Sequence, residues 1–183
     1  MDITDTLYVK DRRAWRRWLA KHHATAREIW LVMHAKASGK PSIPYNDAVE
    51  EAICFGWIDG QVQKHGPHSR AQRFTPRRKG SPMSALNKER ARRLLEQGKM
   101  TPAGLAAAGD LSLLRFVIPK DIERALKADP EVWSNFQAFS ESYKRIRIAW
   151  IAEVQKQRPE EAEKRLRYFI KMTKTNKMYG MVR

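Results

Sequence analysis

The chain is predicted to fold as an α+β protein, with a small antiparallel sheet of about three strands in the N-terminal half and an all-helical C-terminal half. Three observations predict this. Residues 28–36 and 57–75 hold short runs rich in β-branched and aromatic residues, closed by Gly, Pro and Ser. From residue 81 onward apolar side chains recur every three or four positions. The helical stretches are punctuated by Ser81-Pro82, Thr101-Pro102 and Asp129-Pro130, each a capping residue followed by a proline that suits the first helical position.

Taken in order, Trp15, Trp18, Leu19 and His22 mark one face of a helix over residues 11–23, with Asp11 placed to cap it. Residues 28–36 (EIWLVMHAK) are too short and too punctuated for a helix and read as a buried strand. After Pro44, the residues Tyr45, Ala48, Val49, Ala52 and Ile53 return to helical spacing, and Gly56 supplies the left-handed residue that ends that helix. Residues 57–64 alternate, with Trp57, Asp59, Gln61 and Gln63 on one face. His65-Gly66-Pro67-His68 reads as a turn and residues 69–75 as the returning strand of a hairpin. Helices are then expected from Ser81 to Gly98, after Thr101, after Pro119 through Ile122 and Leu126, after Asp129, through Tyr143, Ile146, Trp150 and Val154, and from Pro159 through Leu166 and Phe169. The tail after Lys174 has no period and is expected to fray. Residues 109–118 carry Leu111, Leu113, Leu114, Phe116 and Val117, too apolar for a free linker, and mark the joint between domains 1–110 and 111–183.

Charge narrows the function. The chain of 183 residues has a formal net charge of +16, and the excess sits in the middle: residues 61–120 hold 13 Lys and Arg against 3 Asp and Glu, while residues 1–60 hold 9 against 8. Such a field attracts nucleic acid or another polyanion, phosphorylated ligands or acidic protein surfaces. No apolar run reaches the roughly 20 residues needed to cross a bilayer as a helix. The N-terminus lacks the basic and apolar regions of a signal peptide, and the lone Cys54 suits a reducing compartment, so a cytoplasmic location is expected.

The densest cluster is Arg73, Arg77, Arg78 and Lys79, followed on the next helix by Lys88 and Arg92. A helix beginning at Pro82 would offer free N–H groups beside two guanidinium forks, the chemistry that holds a phosphate or carboxylate. A second grouping, Trp57, Asp59, His65 and Phe74, could line a pocket. There Asp59 is a carboxylate that would need His65 or Arg73 as a partner to do acid–base work. The commoner fates are burial for Trp57 and Phe74, and a backbone or arginine partner for Asp59. His65-x-x-His68 in a turn without a fixed third ligand is no metal motif, and Cys54 near a helix C-terminus is poorly placed for thiolate chemistry. Neither a metal nor an organic cofactor is expected, and no glycine-rich phosphate loop, G-x-S-x-G or H-E-x-x-H is present.

Trp15-x-x-Trp18-Leu19, Glu28-Ile29-Trp30-Leu31-Val32, Cys54-Phe55-Gly56-Trp57-Ile58-Asp59, Gln72-Arg73-Phe74-Thr75-Pro76-Arg77, Asn87-Lys88-Glu89-Arg90 and Met100-Thr101-Pro102-Ala103-Gly104 resemble the YdeI/OmpD-associated family. Ile118-Pro119-x-Asp121-Ile122 through Phe136, Tyr143, Trp150-Ile151 and Arg165 resemble its helical domain. The chain departs from the family at Arg158-Pro159-Glu160-Glu161, where a Thr-Arg pair usually opens the last helix. The resemblance implies a bacterial α+β protein linked with stress or bacteriocin protection, and it brings no catalytic set. The expected function is therefore non-enzymatic anion binding. The alternatives are an enzyme with its cleft at Asp59 or a protein-binding adaptor.

Overall fold

The computed structural model describes residues 2–111 and 117–180. The chain divides into two compact units, Met1–Met83 with Arg90–Leu111, and Ser84–Glu89 with Ser112–Arg183.

The first unit contains β1 (Thr6–Tyr8), α1 (Arg12–His22), β2 (Ile29–His34), a single 3-10 turn at Lys36–Ser38, α2 (Tyr45–Cys54), β3 (Trp57–Gly66), β4 (Ser69–Pro76), most of α3 (Ala85–Glu96) and α4 (Pro102–Ala108). The sheet has four strands in the order β1-β2-β4-β3 and is mixed, because β1 runs parallel to β2. The expected strands pair antiparallel as foreseen. The fourth was missed because three residues are too few to show a period. The hairpin is also tighter than expected, since only Pro67 and His68 connect β3 to β4.

A bulge changes the faces of β3. Asp59 pairs with Phe74 and Val62 with Gln72, so Gly60 and Gln61 together oppose one residue of β4. Simple alternation would put Gln61 and Gln63 beside Trp57 and Asp59; the bulge brings Val62 and Lys64 to that face instead. The buried Gln72 amide stabilises the irregularity by donating to the carbonyls of Gly60 (2.8 Å) and Gln61 (3.2 Å), which the disrupted ladder would leave short of partners.

Strand alternation puts Ile29, Leu31 and Met33 of β2 on the same face as Phe74 of β4, and Trp15, Leu19, Ala48, Val49, Ala52 and Ile53 pack on it from α1 and α2. Full burial of each large side chain contributes about 1.5–3 kcal/mol. Two indoles buried in this core keep their N–H groups satisfied, Trp15 donating to the Ala48 carbonyl (3.0 Å) and Trp57 to the His23 carbonyl (3.1 Å). Asp11 caps α1 by accepting from the Ala14 N–H. Gly56, at φ 74°, lies against α4, and a Cβ there would come within 2.8 Å of the Ala103 carbonyl oxygen. Glycine is therefore required both for the left-handed turn and for the close approach.

Two expectations along the chain need correction. α3 starts at Ala85 and not at Pro82, with the Ser84 hydroxyl accepting from the Asn87 N–H. The Ser81-Pro82 signal lost to this second serine because Arg77 occupies Ser81 and the Pro82 carbonyl. The joint expected at 109–118 includes residues 112–116, which lie outside the described residues.

The second unit is helical: α5 (Lys120–Lys127), α6 (Pro130–Ala138), α7 (Glu141–Gln155) and α8 (Pro159–Lys174). Its core gathers Ile122, Leu126, Val132, Phe136, Tyr143, Ile151 and Phe169. Asp129 caps α6 and Ser140 caps α7. The tail does not fray over residues 175–180. The Tyr179 N–H donates to the Tyr143 hydroxyl (3.2 Å), and the buried Arg147 guanidinium stacks 4.5 Å from the centre of the Tyr179 ring. No sequence period reveals such a contact, because it links one aromatic residue to one distant arginine.

Candidate functional site

A cavity of the first unit lies on the helix-covered face of the sheet, beside the N-terminal end of α2. It encloses about 710 Å³, within the usual range for small-molecule sites. Its apolar wall includes Met33 from β2, Ile43 and Pro44 from the segment entering α2, and Val62 from β3. Val62 is 55% exposed, an unusual state for an apolar side chain on this face. Lys36, Lys64 and Arg70 line the same groove, with His34 and His68. Lys64 and Arg70 are cross-strand partners, a like-charge pairing that disfavours folding slightly. Among the described residues none of Lys36, Lys64 and Arg70 has a carboxylate within 4 Å.

The start of α2 adds to the positive field. Pro44 at its N-cap provides no side-chain acceptor, so the N–H groups of the first turn lack the usual cap. Tyr45 lines the groove and donates its hydroxyl to the Asp59 carboxylate at 2.6 Å. Burial, followed by the hydrogen bond to Asp59 and its charge, pushes the Tyr45 phenol up to about 12, while Arg90 and Arg70 pull the other way. Arg90 is buried and donates to the Asn46 amide oxygen at 2.7 Å. Burial lowers its pKa, and the charges of Tyr45, Glu50 and Asp59 counter that shift. Asp59 is thus the acceptor of a phenol inside a cationic neighbourhood.

The structure scatters the residues expected to hold an anion. Arg73 pairs with Glu28, its Nε donating at 2.9 Å, and hydrogen bonds from Thr4 and Arg73 hold the Glu28 carboxyl below the ordinary range. Arg77 is buried, and its Nη1 donates to the Ser81 hydroxyl and the Pro82 carbonyl, both at 3.2 Å. Burial lowers its pKa as well, with Asp59 opposing. Arg92 donates to the Leu111 carbonyl at 2.9 Å, and Lys88 is half-buried on α3. Only Arg78 and Lys79 stay exposed, on a segment that does not lead directly into a helix.

The expected pocket residues part company too. Trp57 and Phe74 are in the core, His65 is exposed at the hairpin end of β3, and the partner foreseen for Asp59, Arg73, goes to Glu28 instead. The reason is register: Arg73 lies opposite Trp30, on the other face from Asp59. Lys36 and Lys64 were missed because each is a lone lysine in sequence. Arg70 lies three residues before Arg73, at the edge of the basic segment.

A smaller cavity of about 380 Å³ lies between Phe55, Trp57, Pro76, Arg77, Lys79 and the alanines 103, 106 and 107. Among the described residues no three of His, Cys, Asp and Glu gather closely enough to hold a metal ion, and no helix is long and apolar enough to cross a membrane.

Comparison with known proteins divides the chain. Residues 7–107 match the profile of a domain of unknown function, DUF8412, and residues 115–176 match that of the family described as bacteriocin-protection, YdeI or OmpD-associated. No curated protein and no solved structure matches. The motifs from Trp15 to Gly104 thus fall in the DUF8412 stretch, and the YdeI/OmpD-associated likeness is carried by the C-terminal part. With its profile spanning more than half of the residues, the chain belongs to the DUF8412 family and carries a YdeI/OmpD-associated region in its C-terminal helices.

Proposed function

We propose that this protein is a non-enzymatic binder of anionic ligands, linked to stress or to the bacteriocin protection that the description of the family matched by its C-terminal part names. One observation carries the reading: Lys36, Lys64 and Arg70 converge on one groove without carboxylate partners, while Arg73, Arg77 and Arg92 are engaged inside the fold. Cations left uncompensated around a cavity cost stability by mutual repulsion and favour an anion entering it. An enzymatic role for Asp59 has less support, since its carboxylate already accepts the Tyr45 phenol and His65 is exposed at the far end of the strand. The organisation we propose has two domains, 1–110 and 111–183, in keeping with profile matches that end at 107 and begin at 115. A cytoplasmic location is in keeping with the free, buried Cys54, whose thiol burial pushes up.

The test is fluorescence anisotropy of labelled polyphosphate, and of single-stranded and duplex DNA, across a salt series. Binding is expected at about 50 mM salt and should weaken steeply as salt rises. The double change Lys64→Gln with Arg70→Gln should lower the slope of log K against log salt by up to about 2, one for each side chain that no longer neutralises a phosphate. If neither these polyanions nor a small organic phosphate binds the wild type at low salt, the anion-binding reading is wrong.

A further inference from the structure

We infer that the groove is built for one small amphiphilic anion, a carboxylate or phosphate head carrying a hydrocarbon or aryl body, which it takes in preference to a segment of a long polyanion. This rests on the anion-binding reading and narrows it to a ligand class. The shape of the site carries the inference. A nucleic-acid track needs cations spaced along an open surface, with aromatic side chains for the bases. Here the three cations ring a cleft of about 710 Å³ whose aromatic lining, apart from His34 and His68, is Tyr45, with its hydroxyl already committed to Asp59. Much of the remaining wall is apolar, with Met33, Ile43, Pro44 and Val62 alongside the polar Ser42, Gln63 and Ser69.

The two halves of such a ligand are matched separately. Lys64 and Arg70 are held side by side by the register of β3 on β4, so one head group can meet an ammonium and a guanidinium at once. The start of α2, which has no side-chain cap, borders the cleft at Pro44 and Tyr45 and brings N–H groups and a positive dipole end to it. The exposed Val62 lies two residues from Lys64 on the same face, and a hydrocarbon body covering it would remove apolar surface from water. The β3 bulge creates this juxtaposition by turning Val62 and Lys64 together toward the groove.

The experiment is isothermal titration of the full chain with decyl phosphate and decanoate below their micelle concentrations. Decyltrimethylammonium, inorganic phosphate and polyphosphate serve as comparisons. Decyl phosphate and decanoate should bind, decyltrimethylammonium should not, and inorganic phosphate should bind at least about tenfold more weakly than decyl phosphate, because it gains nothing from the wall. Arg70→Gln should weaken decyl phosphate by about tenfold to a hundredfold, the scale of removing one charge-assisted hydrogen bond. Val62→Asn, at an exposed position, should weaken decyl phosphate by about threefold or more and leave polyphosphate unchanged. Polyphosphate binding without decyl phosphate binding would overturn this inference and spare the broader reading. Binding of neither would overturn both. Equal binding of the cationic amphiphile, or decyl phosphate binding indifferent to both substitutions, would also overturn the assignment to the groove.

Discussion

Two sets of cations in the first unit make opposite use of the same charge. One set, four arginines from the basic segment and from α1, is structural: Arg73 holds Glu28, Arg77 ties the loop to Ser81 and Pro82, and Arg12 and Arg16 both donate to the buried Glu51. The groove set, Lys36, Lys64 and Arg70, lies outside these pairings and faces a cavity. The difference teaches that charge density along a sequence measures supply and not availability. A guanidinium has five donors in a rigid fork and is readily consumed by nearby carbonyls and carboxylates. The cations left over for a ligand are those that the fold fails to pair.

The largest effect is expected at Glu51. Its side chain is 3% exposed and accepts from Arg16 at 2.7 Å as well as from Arg12. Glu51→Gln removes the negative charge but leaves two arginines converging on the site, and should cost about 3 kcal/mol. On a protein of this size that lowers the melting transition by roughly 10 °C, measured by scanning calorimetry. A shift of only a degree or two would mean that these arginines, too, are effectively solvated, and the division into two sets would fail.

A smaller effect is expected at Tyr45, the residue between the two regions. Tyr45→Phe leaves Asp59 without its phenol and should cost about 1 kcal/mol at neutral pH. The pH dependence has a definite sign. The folded phenol titrates at about 12, above its ordinary value near 10, so the unfolded chain loses this proton first. The stabilisation is complete below pH 10 and is lost as pH rises through about 12. Urea melts at about pH 9 and about pH 11.5 should therefore show wild type losing its advantage over Tyr45→Phe. An advantage that grows with pH would contradict the Tyr45–Asp59 hydrogen bond.

The smallest effect is expected in the groove itself. Lys64→Gln with Arg70→Gln should change stability by no more than about 0.5 kcal/mol, and in the favourable direction, because a like-charge cross-strand pair disappears. Urea denaturation is the measurement. A destabilisation above about 1.5 kcal/mol would show that these cations, like the arginines, are spent on the fold.

The sequence by itself determined most of the elements. Periods of two and of three to four residues, together with Asp11, Thr101 and Asp129 as helix starts and Gly56 as a helix end, are local signals set by a few neighbouring residues. Burial of Trp57 and Phe74 followed from the same patterns. What only the tertiary structure decided were pairings between distant residues. Arg73 went to Glu28 and not to Asp59 because the register sets them on opposite faces. Ser84 displaced Ser81 as the start of α3 where Arg77 took the earlier serine. Tyr179 was held against Arg147 although the tail has no period of its own. Above all, the extra residue in β3 turned Val62 and Lys64 to the groove face, since with a side-chain period of two one added residue reverses every position after it. Gly60 inside the strand is a local mark of that bulge, but the buried Gln72 that supports it leaves none, so the groove could be read only once β3 and β4 were paired.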